Sequence, residues 1–181
     1  MTSAVVNVLD FLIQVIFQFY LICILLRFLL QWVKADFYNP ICQFLIKITN
    51  PLLIPLRRVI PGFFGLDLAA LVLAILVQSV EVSLLALIKD IPFNGWLYVF
   101  GLIELFLLIL NIFTFAIFIR AILSWFNPNP YNPMSILLFQ LTEPLLRPLR
   151  KRTIFGGMDF SPFIAIIILQ AVVIFIRSII G

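Results

Sequence analysis

Residues 49–62 read TNPLLIPLRRVIPG, and residues 142–150 read TEPLLRPLR. The two stretches begin 142 − 49 = 93 residues apart, and the same offset holds well outside them. Upstream, Arg27 and Trp32 recur as Arg120 and Trp125, and Tyr38-Asn39-Pro40 recurs as Tyr131-Asn132-Pro133. Within the stretches, Pro51 and Pro55 match Pro144 and Pro148, and the basic pair Arg57-Arg58 matches Arg150-Lys151. After one deletion, Gly65 and Asp67 match Gly157 and Asp159. Self-similarity of this kind marks a duplicated structural unit. The chain divides into a first repeat over residues 1–92 and a second over 93–181.

What flanks these stretches decides the fold class. Of 181 residues, 64% are hydrophobic and 11% charged, whereas a soluble domain is about half apolar and about a quarter charged. Four apolar runs, about 11–33, 68–88, 96–123 and 160–180, meet the roughly 20-residue length that crosses a bilayer as a helix. Each repeat holds two runs, an even number, so both copies enter the membrane in the same direction, with a symmetry axis along the membrane normal. The expected fold is an all-α membrane protein, a bundle of four transmembrane helices built from two parallel helix-loop-helix repeats.

Lysine and arginine fix the expected orientation. The first loop carries Lys34, Lys47, Arg57 and Arg58, the third carries Arg147, Arg150, Lys151 and Arg152, and the middle loop carries only Lys89 beside Asp90. Basic loops stay in the cytoplasm, so both termini and the middle loop are expected on the other side. The N-terminal MTSAVVNVLD has no basic n-region and no small-residue cleavage site follows the first apolar run, so that run is expected to remain as a span.

The loops inside each repeat, about 39–58 and 131–152, have a pattern of their own. Asn-Pro suits an N-cap followed by proline in the first turn. Ile41, Phe44, Leu45 and Ile48 then share one helical face, with Gln43 and Lys47 off it, and Met134, Leu137, Leu138 and Leu141 repeat the arrangement. These are expected to be short amphipathic helices at the cytoplasmic interface, ended by the prolines that follow. Arg57, Arg58, Arg147, Arg150, Lys151 and Arg152 would lie against anionic lipid head groups. A re-entrant element lining a water-filled path is the alternative, although no potassium-filter sequence is present.

Ionisable groups inside spans call for a partner or a role. Arg27 with Asp67, and Arg120 with Asp159, are read as structural charge pairs, one in each repeat. Glu81 and Glu104 have no counterpart in the other copy, and each lies seven or eight residues from the outer end of its span. With Arg177, they are candidates for an ion or proton path. The competing reading is a buried Glu-Arg pair, with Gln14, Gln78, Asn111 and Gln170 adding interhelical hydrogen bonds.

Several classes of function are disfavoured. The chain has no histidine and two cysteines, Cys23 and Cys42, in no CxxC pair. His-based acid/base chemistry is thereby removed, and neither a metal site, a cofactor nor a catalytic set is indicated. The net charge of +4 follows from topology, so nucleic acid is not an expected partner. Expected partners are the bilayer with its anionic head groups, a second copy of the chain, and a cytoplasmic or membrane protein.

The R-x4-W and YNP turn, the T-x-P-L-L-x-P-L-R segment and the following G-x-D together resemble the YggT family of small bacterial membrane proteins, which has plastid relatives. The resemblance covers nearly the whole chain. It implies a bacterial inner-membrane location and a role connected with osmotic stress and ion homeostasis, including potassium. An alternative is a scaffold or assembly factor for cell division or membrane protein complexes. It supplies no catalytic residues.

Overall fold

A computed structural model of the chain describes residues 3–62, 65–126, 132–151, 153–155 and 158–180. Tyr131, Arg152 and Gly157, all named above, lie outside them. Six helices are described: α1 (Ser3–Trp32), α2 (Pro40–Val59), α3 (Leu68–Ile88), α4 (Gly95–Phe126), α5 (Pro133–Arg150) and α6 (Ser161–Ile180). Two short strands, β1 (Ile154–Phe155) and β2 (Met158–Asp159), pair antiparallel ahead of α6.

Four of the helices are long and apolar enough to cross a membrane, over Ala4–Trp32, Leu68–Ile88, Gly95–Ser124 and Ser161–Ile180. The protein is a nearly all-helical, multi-pass membrane protein. Its spans turn large apolar side chains outward, among them Phe11, Ile16 and Phe19 of α1 and Ile174 and Phe175 of α6. Patches this large are unfavourable in water and stable against acyl chains.

Helix α1 starts eight residues before the expected run at 11. Asn7 and Asp10 interrupt the apolar pattern there, yet Asp10 is neutralised in place. It accepts from Gln14 Nε2 at 3.1 Å and pairs with Lys89 Nζ at 2.8 Å.

The larger departure is at the prolines. Helix α2 runs through Pro51 and Pro55, and α5 through Pro144 and Pro148, where the sequence predicts termination. An interior proline costs about 3 kcal/mol, so something else holds these helices together. In each, one face is sealed by packing: Leu45, Thr49 and Leu53 in α2 and Leu138, Thr142 and Leu146 in α5 are buried at positions 93 residues apart. The prolines, spaced by four, all lie on the exposed side. Phe44 and Met134, expected on the apolar face, are exposed as well.

The chain forms two compact units. The first comprises Met1–Phe28 and Phe44–Leu108, the second Leu29–Gln43 and Ile109–Gly181. They differ from the sequence repeats 1–92 and 93–181, because α1, α2 and α4 each contribute to both. In the first unit, Ser83 Oγ lies 3.2 Å from Tyr98 Oη, and α3 meets α4 at Gly101. In the second, Ile117, Leu146 and Ala165 bring α4, α5 and α6 together, with Leu145, Leu149, Ile166 and Leu169 packed round them.

Candidate functional site

Each repeat builds a clamp between its first span and the helix that follows it. The element needed is a side chain that can accept from a buried guanidinium without exposing its own helix backbone. Threonine does both. Thr49 Oγ1 donates back to the Leu45 carbonyl at 2.7 Å and accepts from Arg27 Nη1. Thr142 Oγ1 donates to the Leu138 carbonyl at 2.6 Å and accepts from Arg120 Nη1 at 2.7 Å. Each threonine follows its arginine by 22 residues and is 0% exposed.

The residue after each threonine completes the clamp differently. Asn50 Oδ1 accepts from Arg27 Nη1 at 2.9 Å, a neutral contact. Glu143 instead pairs with Arg120 Nη2 at 3.1 Å and also with Arg150. Arg120 further lies over the Phe139 ring, 4.4 Å from its centroid, a cation–π arrangement.

The aspartates are not the direct partners of these arginines, so the pairing expected from sequence is corrected. Asp67 is held by Arg57, and Asp159 by Arg150 Nε at 2.9 Å. The physical reason is that each aspartate is committed to starting the next span. Asp67 is the N-cap of α3 and accepts from Ala70 N at 3.3 Å, and Asp159 accepts from Ser161 N at 2.9 Å as α6 begins. The arginine in the last turn of α2 or α5 reaches this position, while the span arginine is already occupied by threonine. Asp159 titrates below the usual carboxylate range: burial opposes this, but hydrogen bonds from Ser161 and the charge and hydrogen bond of Arg150 outweigh it.

At the other end of the first unit, Glu81 of α3 is 4% exposed, and its Oε2 is buried without a hydrogen-bond partner among the described residues. It sits in the turn flanked by Gln78 and Val82, opposite Gly101. A Cβ there would stand 3.1 Å from Val82 Cγ2 and 3.5 Å from Gln78 Cγ, so the missing side chain at position 101 eases the close approach of α4 to α3. Glu104, one turn along α4, is exposed between the exposed Leu102 and Phe106. Arg177 is exposed and forms no ion pair among the described residues. Arg58, Arg147 and Lys151 are exposed at the ends of α2 and α5, and Arg152 is outside the described residues.

Sequence reasoning passed over Thr49, Asn50, Thr142 and Glu143 as site residues. Their signal was present: both threonines keep the 93-residue offset.

The family model described as CCB3/YggT matches residues 6–88 and 99–180, one stretch in each repeat. An uncharacterized protein of Pseudomonas aeruginosa is 45% identical over 166 residues, covering 90% of this chain and 84% of the relative. The uncharacterized protein YggT of Escherichia coli K12 is 36% identical, covering 92% of this chain and 87% of its own length. An uncharacterized protein of Vibrio alginolyticus is 35% identical, with 97% and 96% covered. No solved structure matches.

Proposed function

Because the chain belongs to the CCB3/YggT family, we propose that it is a non-enzymatic inner-membrane protein that contributes to ion homeostasis under osmotic stress, with potassium or protons acting through Glu81. The observation that carries this reading is the buried, unpartnered Oε2 of Glu81. A carboxylate within a span is costly unless it is neutralised by a cation or a proton, and no basic group among the described residues forms an ion pair with it. Glu104 lies one turn along α4 from Gly101, which packs against the turn of α3 that carries Glu81, and its exposure on an apolar stretch of α4 favours a homo-oligomer that would cover it. In this reading both termini lie outside the cytoplasm. The exposed basic residues Arg58, Arg147 and Lys151 contact anionic head groups or a cytoplasmic partner.

Potassium and proton flux into proteoliposomes tests the proposal. Flux above empty vesicles, abolished by Glu81→Gln, is the expected result. Flux equal to that of empty vesicles would favour the scaffold reading, supported by the exposed basic ends of α2 and α5. Reporter fusions at residues 39–58 and 131–151 test the orientation.

A further inference from the structure

The two repeats carry the same pair of arginines but not the same neutralising group. In the second, the Glu143 carboxylate bridges them. Its Oε2 accepts from Arg120 Nη2 at 3.1 Å and from Arg150 Nη2 at 3.3 Å, while its Oε1 accepts from Arg150 Nη1 at 3.1 Å. Arg120, Arg150, Glu143 and Asp159 sum to zero charge. In the first repeat the equivalent position, 143 − 93 = 50, is Asn50. Arg27, Arg57 and Asp67 then sum to +1.

That surplus charge is buried. Arg27 is 4% exposed, its hydrogen bonds to Thr49 and Asn50 go to neutral oxygens, and its Nε is buried without a partner among the described residues. A buried guanidinium with no carboxylate in direct contact among the described residues is held at high cost. Arg57, by contrast, is 41% exposed, which leaves an approach from outside.

We propose that the first repeat binds a phosphate-type oxyanion between Arg27 and Arg57, at the position where the second repeat supplies its own carboxylate. Glu143 shows which chemistry fits: a planar or tetrahedral oxyanion with at least two oxygens, set between two guanidiniums that recognise it by charge-assisted hydrogen bonds. The source is either the head group of an anionic lipid or free phosphate. The inference deepens the lipid contact proposed above, and rests on that reading only for the side of the membrane concerned.

The test is a titration of the purified full chain in neutral detergent with inorganic phosphate, and of the chain in nanodiscs of zwitterionic lipid with and without phosphatidylglycerol. Binding in detergent is independent of orientation, so failure of the proposed topology leaves it readable. One saturable site is expected for wild type, weakened more than tenfold by Asn50→Glu, which supplies the carboxylate internally, and retained by Asn50→Gln. Glu143→Asn should create a second site. Saturation by phosphate in detergent supports a free oxyanion, and saturation by phosphatidylglycerol alone supports a head group. No saturable binding in either medium, or equal binding by wild type and Asn50→Glu, overturns the proposal.

Discussion

Arg57 donates to the Asp67 carboxylate across ten residues of chain, joining the last turn of α2 to the N-cap of α3. Asp67 is 4% exposed and Arg57 41%, so the pair is buried on one side only. Removing the arginine leaves a desolvated carboxylate whose remaining support is the N-cap bond from Ala70 N. Arg57→Met should therefore destabilise the protein more than Asp67→Asn, which keeps the cap and removes the charge. Breaking a partly buried pair costs about 1–3 kcal/mol. Thermal unfolding in detergent ranks the two variants, and the reverse order would count against this account.

Thr49→Val and Thr142→Val are nearly isosteric but should differ in effect. Valine withdraws an acceptor from a buried arginine, and an unsatisfied polar group costs about 1–3 kcal/mol. Arg120 keeps Glu143 and the Phe139 ring, whereas among the described residues Arg27 keeps only the hydrogen bond to Asn50. The Thr49 variant should show the larger fall in melting temperature.

At Gly101 the prediction concerns packing. Val82 is β-branched and stiff about χ1, and its Cγ2 lies 3.1 Å from where a Cβ would stand. Gly101→Leu should cost about 1–3 kcal/mol by overpacking. Adding Val82→Ala should recover part of the loss, measured as a double-mutant cycle.

The Arg150–Asp159 pair gives a pH dependence with a definite sign. The folded-state pKa of Asp159 is depressed, so its stabilisation is fully present above the unfolded value of about 3.9 and is lost as pH falls through the lower, folded value. Melting temperature should drop in strong acid less steeply for Asp159→Asn than for wild type, and the two should run parallel above about pH 5.

The spans were legible because hydropathy is a local property: the run at 68–88 matches α3 residue for residue. The start of α1 was not, because the charge that makes Asp10 acceptable comes from Lys89, far away in sequence. Proline's local penalty made α2 and α5 look terminated, while the buried Thr49 and Thr142 faces that hold them together depend on tertiary packing. The charge pairs were misassigned for a related reason. Recurrence identifies Arg27, Arg57 and Asp67 as a set without stating who bonds to whom, and a neutral threonine is inconspicuous beside charged side chains.

Asn39 caps α2 by accepting from Ile41 N at 3.0 Å, and its Nδ2 donates to the Pro133 carbonyl at 2.9 Å. Both residues belong to the second compact unit, although one lies in each sequence repeat. Residues 29–43 group with residues 109–181, so the compact unit they belong to is completed by the later part of the chain. Each compact unit draws residues from both sequence repeats, so either half made as a separate polypeptide should insert with an unfinished surface, and co-expression of the two should restore it.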